Sequence, residues 1–169
     1  LGEQRGGGEM MLLDLIRQGR NLGVEWLVIF LEDGPMVEDV RKLGVDTRVV
    51  VSGRLREVHR FIAAVIRIAA IARREKVDII VNWMWITHIL GGIAALLAGI
   101  PSVWYQLEVP YDKSFLVRLA TLVPTRAAIT LSKDGQKAQS LIWPYRPTPL
   151  IYPGVDLSRF NPNILPNAI

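Results

Sequence analysis

The sequence predicts an α/β domain built on a doubly wound, parallel sheet, and three observations predict it. Short runs rich in Val and Ile recur along the chain, mostly too apolar to alternate, which is the pattern of parallel strands buried on both faces. Stretches of helical period separate those runs, so strand and helix alternate. Glycine and proline fall where a helix should hand over to a strand, at Gly23, Gly44, Gly99-Ile100-Pro101 and Pro124.

In chain order, Gly6-Gly7-Gly8-Glu9 reads as a glycine loop feeding a helix over 9–18, where Met10 to Leu13 and Leu15-Ile16 supply the apolar residues. Exposed amides and the positive end of the helix dipole suit a phosphate at such a start. A plain flexible terminus is the other reading, with Glu9 merely complementing the dipole. Strands follow at 26–31, 47–51, 78–81, 102–107, 127–131 and 149–152, and helices at 36–43, 54–76, 87–98, 113–122 and 133–142. In a doubly wound fold a glycine-rich loop follows the first strand, yet this one stands almost at residue 1. A first strand is therefore expected to be missing from the middle of the sheet, leaving unpaired edges. The expectation is a piece of a larger protein: residues 1–160 one domain, 161–169 the start of an interdomain connection.

Composition narrows the class. Half of the 169 residues are apolar and 21% are charged, so the chain should fold. No run reaches the roughly 18 to 20 apolar residues of a membrane span, the best candidates being broken by Arg67 or Pro101. The absence of cysteine excludes disulfides and thiolate zinc sites, and no signal peptide is read at the start, so a cytoplasmic setting is expected. The net charge of +4 fits nucleic acid, an anionic membrane, a phosphorylated substrate or no particular partner.

Charge distribution separates those partners. The stretch 54–76 carries seven basic and two acidic residues around an expected apolar face of Val58, Phe61, Ile62, Val65, Ile68, Ala69 and Ala72. Arg60, Arg67 and Arg74 recur every seven residues on one stripe, with Arg56 beside it. This is either a solvated helix face or a surface for an anionic membrane, possible at the inner membrane face. Nucleic acid is not expected, since no aromatics interleave with the basic residues.

Three segments leave strands at their carboxyl ends, where open α/β sheets bind ligands. Asn82-Trp83-Met84-Trp85-Ile86-Thr87-His88 offers Trp83 and Trp85 for sugar stacking, while His88 serves as an acid/base group or packs at the next helix. Glu108, after Trp104-Tyr105-Gln106-Leu107, is a candidate for accepting a proton from an acceptor hydroxyl or a plain loop charge, and Asp112 is read as a helix cap. Ser132 ends a strand and caps the following helix. There is no nucleophile elbow and no metal-ligand spacing.

Together these segments resemble family 4 glycosyltransferases of the two-domain GT-B type, in the family's order and approximate spacing. Gly7-Gly8-Glu9 resembles its G-G-x-E loop, Leu31-Glu32-Asp33-Gly34-Pro35 its second-strand exit, and Ala98-Gly99-Ile100-Pro101-Ser102-Val103 its A-x-G-[IV]-P-x-V segment. Ala128-Ile129-Thr130-Leu131-Ser132 resembles V-I-x-x-S. The most specific match is the stretch from Ile151 through Pro153-Gly154-Val155-Asp156 and Phe160 to Pro162, with Pro153 in place of the usual Asn.

The resemblance implies a Rossmann-like N-terminal, acceptor-side domain of an enzyme that moves a sugar from a nucleotide diphosphate sugar to a hydroxyl acceptor, with retention. It implies Gly7, Gly8 and Glu9 at the donor phosphates and acceptor, a cleft wall of Trp83, Trp85, His88 and Ser132, and a sugar or lipid-linked acceptor. The donor would be held mainly by a C-terminal domain with a paired-glutamate E-x7-E motif, so this chain alone is expected to be inactive; neither cofactor nor metal is implied. The family often has histidine where Leu107 stands, so that histidine's role does not transfer. Rival readings are a non-catalytic domain docking on membranes or protein partners, and a nucleotide-sugar epimerase of the same fold.

Overall fold

The computed structural model describes residues 6–19, 22–53, 56–110 and 115–154. Asp112 and the part of the signature from Val155 to Pro162 lie outside the described residues. The chain alternates as predicted: α1 (Gly7–Gly19), β1 (Leu27–Phe30), α2 (Pro35–Lys42), β2 (Asp46–Val49), α3 (Val58–Arg74), β3 (Ile80–Trp83), α4 (Trp85–Ala98), β4 (Ser102–Gln106), α5 (Phe115–Leu122), β5 (Ala128–Thr130) and α6 (Lys133–Ile142).

Strand pairing is parallel throughout, in two pieces. β1 pairs with β2, and β3–β4–β5 form a second sheet, with no ladder between β1 and β3 among the described residues. The helices sort by side. Leu13 and Ile16 of α1 and Met36, Val37 and Val40 of α2 pack on Phe30 and Val45, whereas α3 and α4 enclose Leu31, Val50, Ala64, Val65, Ile68, Leu90 and Ala94. A third cluster joins Ile89 of α4 and Val117 and Ala120 of α5 to Trp104 and Ala128 of the sheet.

In β3–β5 the two faces differ. Asn82, Trp104 and Ala128 pair in register and are buried under the helices, with Ser102, Gln106 and Thr130 on the same face. On the other face, Val81 opposite Val103, and Trp83 opposite Tyr105 and Ile129, are buried only at Trp83, and Val81 is 43% exposed. That apolar face has little cover beyond α1.

Three differences from the sequence reading have physical causes. The third strand runs two residues later than expected, because Asn82 and Trp83, read as loop, are both buried in the strand. A Cβ at Gly91 would lie 1.9 Å from Asn82 Oδ1, so glycine is what lets α4 sit on that carboxamide. The expected strand at 149–152 reduces to a single bridge between Thr130 and Leu150. Pro147 and Pro149 accept from the amides of Ala128 and Thr130, and Ile151 N–H returns a bond to Thr130 O, but the prolines have no N–H to donate, so the ladder does not extend beyond that bridge. Finally, Val58 and Ile62, expected in the apolar face of α3, are exposed; the buried face is Ala64, Val65, Ile68, Ala69 and Ala72.

Candidate functional site

The carboxyl ends of β3 and β4 meet the start of α1. Gly7 and Gly8 form the first turn of that helix rather than a loop before it, and Met10 N–H donates to Gly6 O at 3.1 Å. Gly8 lets Leu107 close over the helix start: a Cβ there would stand 2.5 Å from Leu107 Cδ1 and push that side-chain end aside. The indole N–H of Trp83 donates to Gly8 O at 3.0 Å, so the strand end holds the helix start directly. The Glu9 carboxylate folds back over Gly6, whose Cβ position would lie 2.8 Å from Glu9 Oε2.

A strained turn sets the directions of the two tryptophans. Met84, between β3 and α4, has φ 76° and ψ 169°, a left-handed backbone that a side-chain-bearing residue adopts at a cost of order 1–3 kcal/mol. It is held by Met84 N–H to Tyr105 O at 3.0 Å and by the Thr87 hydroxyl, which donates to the carbonyls of Trp83 and Met84. Across this turn Trp83 faces α1, while Trp85 packs against the core of Ile89, Trp104, Val117 and Ala120.

The Trp83 and Tyr105 rings stack with centroids 4.3 Å apart and planes within 2°. They wall a cavity of about 230 Å³ whose other side is one face of α1: Met11, Asp14, Leu15 and Gln18. Pro153 and Gly154, from the signature segment, also line it. Partial burial pushes the Tyr105 phenol above its ordinary value. The result is a flat aromatic wall edged by a carboxylate and a carboxamide, beside a helix N-terminus suited to an anion.

The other expected site residues fall into separate groups. Glu108 is exposed one residue beyond Leu107, so it stands at the rim near Gly8. Ser132 caps α6, its hydroxyl accepting from Gly135 N–H at 3.0 Å. His88 is not on a cleft wall: it is fully buried, stacked on Trp104 with centroids 4.6 Å apart, and its Nδ1 lies 3.4 Å from Asn82 Nδ2. Burial, and then the nearby Arg146 charge, pull its pKa from 6.5 down to about 4, against the carbonyls of Val123 and Ala120. Arg56, Arg60, Arg67 and Arg74 are exposed along α3 and its approach. Sequence reasoning missed Asp14, Gln18 and Tyr105; Asp14 and Gln18 at i, i+4 were the available signal for α1's face.

The fold is that of a Rossmann-like half of the GT-B type. The chain belongs to Glycosyltransferase Family 4, whose model matches residues 5–159. Among solved structures it is similar to HepE (Alr3699) from Anabaena in complex with UDP-glucose, with 20% identity and a TM-score of 0.75. The complexes of that protein with UDP, and with UDP and glucose, match with TM-scores of 0.75 and 0.76 at 19% and 20% identity. In each case the match covers 93% of this chain and 43% of that one, so the chain spans less than half the length of these structures. A search of the curated proteins gives no match.

Proposed function

We propose that the whole protein transfers a sugar from a nucleotide diphosphate sugar to a hydroxyl acceptor with retention, and that residues 1–160 are its acceptor-side domain. The observation that carries this is the site itself: Gly8 pins the N-terminus of α1 at the ends of β3 and β4, beside the stacked Trp83–Tyr105 wall. The solved HepE complexes, which hold UDP-glucose, UDP and glucose, support a nucleotide sugar as donor.

In this reading the amides at Gly7 and Gly8 meet the donor diphosphate, with helix polarity supplying the attraction. The acceptor, a sugar or lipid-linked sugar, lies against the aromatic wall, and Glu108 takes the proton from its hydroxyl. A C-terminal domain beyond residues 161–169 holds most of the donor, and closure of the two halves brings the reactants into geometry. These 169 residues alone do not transfer sugar. A strand from sequence outside them fills the gap between β1 and β3. The test is transfer by the full-length protein from a panel of nucleotide sugars. Gly8→Ala should lower activity by pushing the Leu107 side chain into the site, and Glu108→Gln should lower kcat on the order of a hundredfold with little change in donor KM. No transfer and no nucleotide binding by the full-length protein would sink the reading.

A second reading, a non-catalytic domain docking on an anionic membrane or a protein partner, is favoured by the exposed arginine stripe of α3. Both readings allow a cytoplasmic protein peripheral to the inner membrane face. No helix among the described residues is long and apolar enough to cross a membrane.

A further inference from the structure

We propose that the cavity between α1 and the Trp83–Tyr105 wall takes one neutral pyranose ring, and that Asp14 and Gln18 select that ring by its charge and its hydroxyls. The inference rests on the acceptor-side reading above and narrows its substrate class: a ring that bears a carboxylate or a phosphate is refused.

Size and surface set the kind of ligand. At about 230 Å³ the cavity is smaller than the roughly 300–1,000 Å³ of sites for larger molecules, which suits a single ring. Met11 and Leu15 on one side, and Trp83, Tyr105 and Pro153 on the other, make most of its wall apolar. A pyranose carries C–H bonds on its flat faces and hydroxyls around its edge, so a face can lie on aromatic and aliphatic carbon while the edge meets polar groups. Those polar groups are few. Asp14 and Gln18 stand one helical turn apart on α1, with Cβ atoms roughly 5–6 Å apart, a spacing that one ring spans. A carboxylate only accepts, whereas a carboxamide both donates and accepts, so the pair can hold two hydroxyls of the same ring.

Charge decides which rings are admitted. None of the side chains that line the cavity is cationic, and Asp14 is an anion. Arg17 pairs with Asp14 Oδ1 at 2.9 Å but does not line the cavity, and both side chains are well exposed, so water screens that pair. A carboxylate or phosphate on the bound ring would meet Asp14 at close range with no counter-charge inside. The start of the same helix has the opposite preference, since the amides at Gly7 and Gly8 and the helix dipole favour an anion. Thus α1 sorts ligands along its length, with the anionic group at its first turn and the neutral ring about two turns further on.

The test is ligand-observed NMR titration of the full-length protein with the methyl glycosides of glucose, galactose and mannose, and with those of the matching uronic acids, at neutral pH. At least one neutral glycoside should bind, and its uronic counterpart should bind about tenfold or more weakly. Asp14→Asn should shrink that gap to about threefold or less while the neutral glycoside still binds, because the carboxamide accepts a hydroxyl without repelling an anion. Gln18→Ala should weaken both members of the pair alike. Leu15→Trp, at a side chain 40% exposed, should fill the cavity and abolish binding of either. Binding of no glycoside, a uronic acid bound as tightly as its neutral partner, a gap that Asp14→Asn leaves intact, or binding that survives Leu15→Trp overturns the proposal. The two readings fail separately. A protein that binds the neutral ring here and transfers nothing to it removes the transferase reading and leaves the cavity assigned; transfer to a uronic or phosphorylated ring keeps the transferase and removes this assignment.

Discussion

His88 shows how the environment of one residue decides its chemistry. Stacked on Trp104 and walled by α4, α5 and the Asn82 carboxamide, it is neutral at ordinary pH, with its pKa near 4 instead of 6.5. The unfolded chain binds more protons than the folded one between those values, so the contribution to stability is complete above pH 6.5 and is lost as pH falls through about 4. The shift corresponds to about 3 kcal/mol in order of magnitude. Chemical denaturation across that window should show a steeper loss for the natural protein than for His88→Phe, which keeps a ring on Trp104 but does not titrate; equal slopes would return the buried histidine to a solvated one. The sequence could not place this ring. It stands four residues into a helix at the carboxyl end of a strand, where either a site or a core position is possible, and only the packing of Trp104 and Gly92 around it settles which.

At the scale of elements, the alternation was legible because it rests on local periodicity, and α6 was read to the residue because Ser132 announces its start. What local pattern could not supply was contact between elements. Tyr105 joins the site because β3 and β4 pair Trp83 with Tyr105 rather than with a neighbour, and register is not written in either strand alone. In the same way Val58 and Ile62 share a helical period with the buried row of α3, and which edge of that stripe is covered depends on where α4 lies. Ser132 illustrates a residue whose element-level role is already filled. Its hydroxyl serves Gly135 N–H, so Ser132→Ala should cost about 1 kcal/mol of stability, read by denaturant midpoint, and leave transfer by the full-length protein unchanged. A large fall in kcat with stability intact would restore Ser132 to the cleft.

At the scale of the molecule, the two-piece sheet is the feature that local rules do not favour. β1 and β3 each pair on one side only among the described residues, although α4, which sits on the Asn82 carboxamide of β3 through Gly91, shares a buried core with α3 and with Leu31 and Val50 at the ends of β1 and β2. A core shared across a break in the sheet argues that the break is to be filled, because backbone donors and acceptors beside buried apolar groups must find partners. A strand of about five residues, parallel to both neighbours, would pair both edges. Hydrogen exchange should therefore show the amides of β1 and β3 protected in the full-length protein as strongly as those of β4. In a version beginning at residue 1, β1 and β3 should exchange faster by a factor set by local opening, while β4, paired on both sides, changes least. If all three strands exchange alike in both versions, the gap is a feature of the finished fold and no added strand is needed to close it.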